Sequence, residues 1–216
     1  SGMCAVCSMP GRSHLRSMER IAILASGSGT NAQKLMEHFR DHPMAEVALV
    51  ASDQPGAQVL QRAWDMGVMS HRFSGAHLKD GTLLRELQGC RIGLIVLAGF
   101  MRLVPAEFVA AYPERILNIH PALLPKFGGK GMYGMHVHRA VIAAGEQESG
   151  ITIHYVNERY DEGEHLFQAR CPVQPDDTPE SLAKRVLGLE HEHYPRVVEE
   201  VLVVNSPRHG KSRPAR

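Results

Sequence analysis

The chain has 216 residues, 44% of them hydrophobic and 22% charged, with a formal net charge of +1. Such a balance suits a single sizeable core and carries no signal for nucleic acid or an anionic membrane. With no apolar run of about 18 residues and no signal-peptide core, a cytoplasmic enzyme acting on small molecules is expected.

Residues 1 to 19 lack periodicity and are expected to be a tag or disordered leader, with Met18 a candidate start. Cys4-x-x-Cys7 has no second Cys or His pair at zinc spacing. Ile21–Ala25 predicts a short buried strand, followed by Ser26-Gly27-Ser28-Gly29-Thr30-Asn31 and a helix through Phe39. A glycine turn opening a helix lets backbone N–H groups approach an anion, so phosphate is the expected ligand. A strand over 46–52 leads to Asp53, placed as the ribose-binding acid of a dinucleotide fold would be. Next come a helix with Trp64 in the core, a run from Val68 to Phe73, a helix around Thr82 to Gln88, and the strand Ile92–Ala98, apolar on both faces. Such alternation predicts an α/β fold, an open and mostly parallel sheet with helices on both faces, binding ligands beyond the strands' carboxyl ends. Gly99-Phe100-Met101-Arg102 lies at that edge, where Phe100 and Met101 fit either core or crevice.

Ile116-Leu117-Asn118-Ile119-His120-Pro121 is an apolar strand halted by proline. Alternation puts Asn118 and His120 on one face, an amide and an imidazole able to hold a carbonyl oxygen and move a proton. The glycine-rich loop from Pro125 to His136 suits a lid or binding loop. His136-x-His138 precedes a helix and is a weak metal signal without further ligands. Ile151–Val156 alternates as a strand and leads to a turn holding Asp161, a carboxylate placed to pair with His120 and keep it protonated. His154 either is buried and hydrogen-bonded or lines the pocket. A strand over 165–173 is expected at the sheet edge. Thr178-Pro179 caps and starts a helix that Pro195 should kink or split. Residues 205 to 216 are expected to be a disordered tail.

Four of these stretches, Ser26–Asn31, Leu97–Arg102, Asn118–Pro125 and the turn at Asp161, together with Leu189-Glu190-His191, resemble the phosphoribosylglycinamide formyltransferase family of folate-dependent enzymes over residues 20 to 204. The resemblance implies one Rossmann-like formyltransferase domain, with a ribonucleotide-binding N-terminal part and a folate-binding, catalytic C-terminal part. It implies transfer of a formyl group from 10-formyltetrahydrofolate, as co-substrate, to the amine of glycinamide ribonucleotide in purine biosynthesis, without metal. Gly29, Thr30, Asn31 and Glu190 would bind the ribonucleotide, and Met101, Arg102, Leu103, Val104 and Asn118 the folate. Asn118, His120 and Asp161 would be catalytic, in a monomer or homodimer.

Three departures stand out. The loop from Gly128 to Gly134 is long, neither Lys79 nor Asp80 supplies the family's arginine for the folate tail, and Glu162-Gly163 replaces Gly-Gly after Asp161. The nearest rival is a formyltetrahydrofolate hydrolase, whose extra N-terminal regulatory domain is not expected here. A rival of a different class, an NAD-dependent dehydrogenase or nucleotide-binding module, rests on Gly27, Gly29, Ala32 and Asp53.

Overall fold

A computed structural model describes residues 18–204. The two leader cysteines and the tail lie outside the described residues, and Glu19, expected in the leader, opens the first strand. The elements run β1 (Glu19–Leu24), α1 (Thr30–Phe39), β2 (Ala45–Ser52), α2 (Gln58–Asp65), β3 (Met69–Arg72), α3 (Gly75–Lys79), α4 (Thr82–Gly89), β4 (Leu94–Leu97), α5 (Ala106–Ala111), β5 (Ile116–His120), α6 (Met135–Ala143), β6 (Glu148–Tyr155), β7 (His165–Pro172) and α7 (Pro179–Val204).

Because side chains alternate across a strand, one β1 sequence feeds two cores. Ile21 and Ile23 join a cluster with Leu35, Val59, Val137 and Val198, whereas Ala22 and Leu24 join Leu83, Leu87 and Phe108 on the other face. Helices α1, α2, α6 and α7 therefore cover one side and α3, α4 and α5 the other, as expected of an α/β sheet. The seven strands lie in the order β3-β2-β1-β4-β5-β6-β7. Pairing is parallel from β3 through β5, and β6 is antiparallel to both its neighbours. Successive connections leave β1 in opposite directions, so a topological switch point falls between β1 and β4, where open α/β sheets form a crevice.

Some local expectations needed correction. Trp64 is 74% exposed, because α2 is a short helix whose buried stripe is Val59 and Ala63; the next residue is turned about 100° away. His136 and His138 lie within α6 rather than before it. Positions two apart on a helix face nearly opposite ways, so His138 is buried while His136 is exposed against the Tyr133 ring. The short helices α3 and α5 have too few residues for a clear period. Ser74 caps α3 by accepting from the His77 N–H at 3.1 Å.

α7 runs unbroken for 26 residues through Pro195. An interior proline removes one helix hydrogen bond, at a typical cost of about 3 kcal/mol, but Tyr194, Val197, Val198 and Val201 are buried around it and hold both halves on the sheet. The Tyr194 hydroxyl, fully buried, donates to the carbonyl of Leu97 at 2.6 Å, with the Leu117 carbonyl at 3.4 Å. Thr178 caps the helix by accepting from the Ser181 N–H at 3.1 Å, as its position before Pro179 predicts.

Candidate active site

The ends of β1, β4 and β5 open onto one cavity of about 780 Å³, reaching from Ser28 and Asn31 past Met101 to Asn118, His120 and Asp161. At the switch point two turns are stitched together. The Ser26 N–H donates to the Gly99 carbonyl at 3.0 Å, and Ser26 Oγ accepts from the Met101 N–H at 3.1 Å. The same hydroxyl donates to Asp53 Oδ1 at 2.7 Å, while Asp53 Oδ2 accepts from Arg102 Nε at 2.6 Å and Gln54 Nε2 at 3.0 Å. Burial alone would raise the Asp53 carboxyl; these donors outweigh it and hold it below its ordinary range. Both carboxylate oxygens are thus occupied in bracing the two turns, which leaves the ribose role of the dinucleotide reading without support.

The phosphate turn begins with Gly27 and Ser28 exposed. Gly29 then takes a left-handed conformation, φ 77°, as the N-cap of α1. A side chain is doubly excluded there, since an added Cβ would lie 2.4 Å from Val59 Cγ2. The expected phosphate side chains are engaged elsewhere: Thr30 Oγ1 is 3.1 Å from His191 Nε2, and Asn31 Nδ2 donates to Glu190 Oε2 at 3.1 Å. Asn31 Oδ1 is buried with no hydrogen-bond partner among the described residues. Burial pushes the Glu190 carboxyl up to about 7, against the opposing bond from Asn31. What the turn offers an anion is therefore backbone N–H groups at a helix start, with the exposed Ser28 hydroxyl beside them, rather than the side chains of Thr30 and Asn31.

Along the middle of the cavity, Met101 and Leu103 expose apolar side chains, 52% and 41% accessible, and Val104 is buried behind them. Arg102 points away toward Asp53 and lies beside Gly75, where a Cβ would come within 2.6 Å of Nη1. An apolar wall fits a flat aromatic ligand. Lys130 and Arg159 stand at its margin, while Asp80 Oδ1 accepts from the N–H of Thr82, the first residue of α4, at 2.9 Å.

Asn118 and His120 share one face of β5, as alternation predicts, and Asp161 lies across them. His120 Nδ1 is 3.5 Å from Asp161 Oδ2, and Asn118 Nδ2 is 3.5 Å from Asp161 Oδ1. Asp161 is not simply at a strand's end. Because β6 runs antiparallel to β5, Tyr155 lies beside Leu117, and the following loop must fold back to reach His120. The turn is made by Asp161 itself, at φ 55°. Glu162 in place of glycine is exposed and pairs with Arg159 at 3.3 Å. The following glycine is the constrained one, since a Cβ on Gly163 would overlap the Tyr155 carbonyl.

Two supports of this group come from places the sequence left open, His154 and the glycine-rich loop. His154 sits opposite Asn118 on β6; its Nδ1 donates to the Tyr155 carbonyl at 2.9 Å, and its Nε2 lies 3.2 Å from Asn118 Nδ2 and 3.6 Å from Asp161 Oδ1. The glycine-rich loop supplies the other. The Phe127 carbonyl accepts from His120 Nε2 at 2.7 Å and the Gly129 N–H donates to Asp161 Oδ2 at 3.0 Å. Burial would raise Asp161, but His154, the His120 charge and the Gly129 N–H together hold it below its usual range. For His120 burial wins. Its pKa is lowered by burial, against the raising effects of the Asp161 charge and the Phe127 carbonyl. His138, also at the cavity wall, is pushed down by burial and by His120.

The formyl transferase family model matches residues 19–198. The chloroplastic phosphoribosylglycinamide formyltransferase of Arabidopsis thaliana is 41% identical over 200 residues, covering 89% of this chain and 68% of that protein. The trifunctional purine biosynthetic protein adenosine-3 of Drosophila melanogaster is 43% identical over 188 residues, which is 83% of this chain but only 14% of the fly protein. The crystal structure of glycinamide ribonucleotide transformylase 1 from Geobacillus kaustophilus superposes with a TM-score of 0.79 at 39% identity, covering 86% of this chain and 100% of that one. The chain belongs to the formyl transferase family, among the phosphoribosylglycinamide formyltransferases.

Proposed function

We propose that this formyltransferase moves the formyl group of 10-formyltetrahydrofolate directly onto the amine of glycinamide ribonucleotide, as a step of purine biosynthesis. The observation that carries the reading is the meeting of Asn118, His120 and Asp161 in a cavity that also reaches the phosphate turn and an apolar wall. The ribonucleotide phosphate would lie on the turn at Gly29, Thr30 and Asn31 with Glu190 beside it, and the folate against Met101, Leu103 and Val104. Arg102 would act there through its backbone, its side chain being held by Asp53.

Attack of an amine on a formamide carbon builds a tetrahedral oxyanion. Asn118 is the donor nearest to hand once its amide turns from Asp161 toward that oxygen. With Nε2–H held on the Phe127 carbonyl, a neutral His120 has Nδ1, beside Asp161, as its basic nitrogen; Nδ1 would accept the amine's proton, Asp161 would stabilise the imidazolium so formed, and that proton would pass to the leaving folate nitrogen. A positioned acid–base residue of this kind contributes about 10²–10⁴-fold. The proton ends on tetrahydrofolate and the formyl group on the amine, so no enzyme-bound formyl is needed.

Tetrahydrofolate formation from 10-formyltetrahydrofolate should require glycinamide ribonucleotide. Turnover with water alone would make the protein a hydrolase, and no turnover with either acceptor would remove the reading.

A further inference from the structure

We propose that Arg62, on α2, is a positioning residue for the phosphate turn, holding the Ser28–Gly29 peptide so that its N–H faces the phosphate; this rests on the ribonucleotide reading above. In a planar trans peptide the C=O and N–H point in opposite directions, so whatever grips the carbonyl aims the N–H. Arg62 Nε donates to the Ser28 carbonyl at 2.7 Å, and its Nη1 donates to Gln33 Oε1 in the first turn of α1. One guanidinium thereby ties α2, the turn and α1 together.

The neighbouring peptides are held the same way. The Val59 N–H reaches the Gly27 carbonyl at 3.4 Å, and the Gln33 N–H donates to the Gly29 carbonyl at 2.9 Å. Three successive carbonyls are drawn toward the protein, which turns the N–H groups of Ser28, Gly29 and Thr30 the other way. Among the described residues, no backbone carbonyl accepts from those three. Successive N–H groups presented in this manner form an anion-binding concavity.

The middle peptide has most need of a grip. That peptide turns about Ser28 ψ and Gly29 φ; Ser28 is exposed, and Gly29, with no side chain and already at φ 77°, tolerates either orientation. An arginine fork can hold a carbonyl and an amide oxygen at once, which a lysine ammonium on a flexible stem does poorly.

The test uses Arg62→Ala and Arg62→Lys, with steady-state kinetics and calorimetric titration of ribose 5-phosphate against ribose. Arg62→Ala should raise KM for glycinamide ribonucleotide about tenfold or more while kcat and KM for the formyl folate stay within about twofold, the pattern of lost substrate binding. Ribose 5-phosphate affinity should fall in parallel, and Arg62→Lys should recover only part of both. Unchanged KM and phosphate affinity in Arg62→Ala would overturn the proposal, as would full recovery in Arg62→Lys, which would reduce Arg62 to a charge. A parent protein that binds ribose 5-phosphate no better than ribose would overturn it as well. If the parent transfers no formyl group, the functional reading fails by itself and the titration still decides the part played by Arg62.

Discussion

The two ends of the cavity are built on opposite plans. At the phosphate turn the chemistry lies in the main chain: Gly29 is held by Val59, Ser28 by Arg62, and the hydroxyl and amide of Thr30 and Asn31 are tied to α7. At the end of β5 it lies in side chains, with Asn118, His120, His154 and Asp161 gathered around one carboxylate. A backbone site binds through geometry that a parallel strand–turn–helix supplies. A side-chain site needs titratable groups tuned against one another, and the antiparallel strand β6 brings them from distant parts of the chain.

Substitutions should separate these plans. The largest effect is expected at the side-chain end. His120→Ala should lower kcat by about 10²–10⁴-fold and Asp161→Asn by more than about tenfold, each leaving KM for the ribonucleotide near its original value. A KM effect without a kcat effect would dissolve the division between the ends.

Glu190, tied to Asn31 at the phosphate end, comes next. Its carboxyl keeps a proton in the folded chain up to about 7, against an ordinary 4.5. Between those values the folded state binds more protons than the unfolded, so stability falls as pH rises through the interval, by up to about 3 kcal/mol. Denaturation midpoints measured at pH 5 and pH 8 should show the parent losing stability relative to Glu190→Gln, a comparison in which the opposite contributions of His120, His138 and His191, whose lowered pKa values make stability rise with pH, cancel. Identical profiles would place the buried charge elsewhere. The smallest effect is expected from Trp64→Gln, on a helix face that touches neither end, which should leave stability within about 0.5 kcal/mol and both kinetic constants unchanged.

The contrast also explains which parts were legible in the sequence. The sheet, its direction and the pairing of Asn118 with His120 follow from apolar runs that stop at polar residues, a pattern that survives folding. The capped start of α7 at Thr178-Pro179 is local in the same sense. Arg62 was invisible because its partner is a carbonyl 34 positions away, and main-chain acceptors carry no residue signature. The weight of burial against the Asp161 charge at His120 was not legible, because that burial depends on the loop at Phe127, which no neighbour in sequence announces. Trp64 shows the reverse error, a hydrophobic residue taken as core although its helix had already used its narrow buried stripe. Asp53 matched the spacing of a ribose acid, yet its partners are Ser26 and Arg102, one from each adjoining turn.

Tyr194 lies one turn beyond Glu190 on α7, and its hydroxyl reaches the carbonyls of Leu97, at the end of β4, and Leu117, in β5. The separation between Glu190 and Asn118 is thus gauged by a buried crossbar rather than by surface loops. Under the proposed function, a substrate seated by its phosphate would meet a fixed reach to the transfer point, and the scaffold would set the length of acceptor that can be formylated.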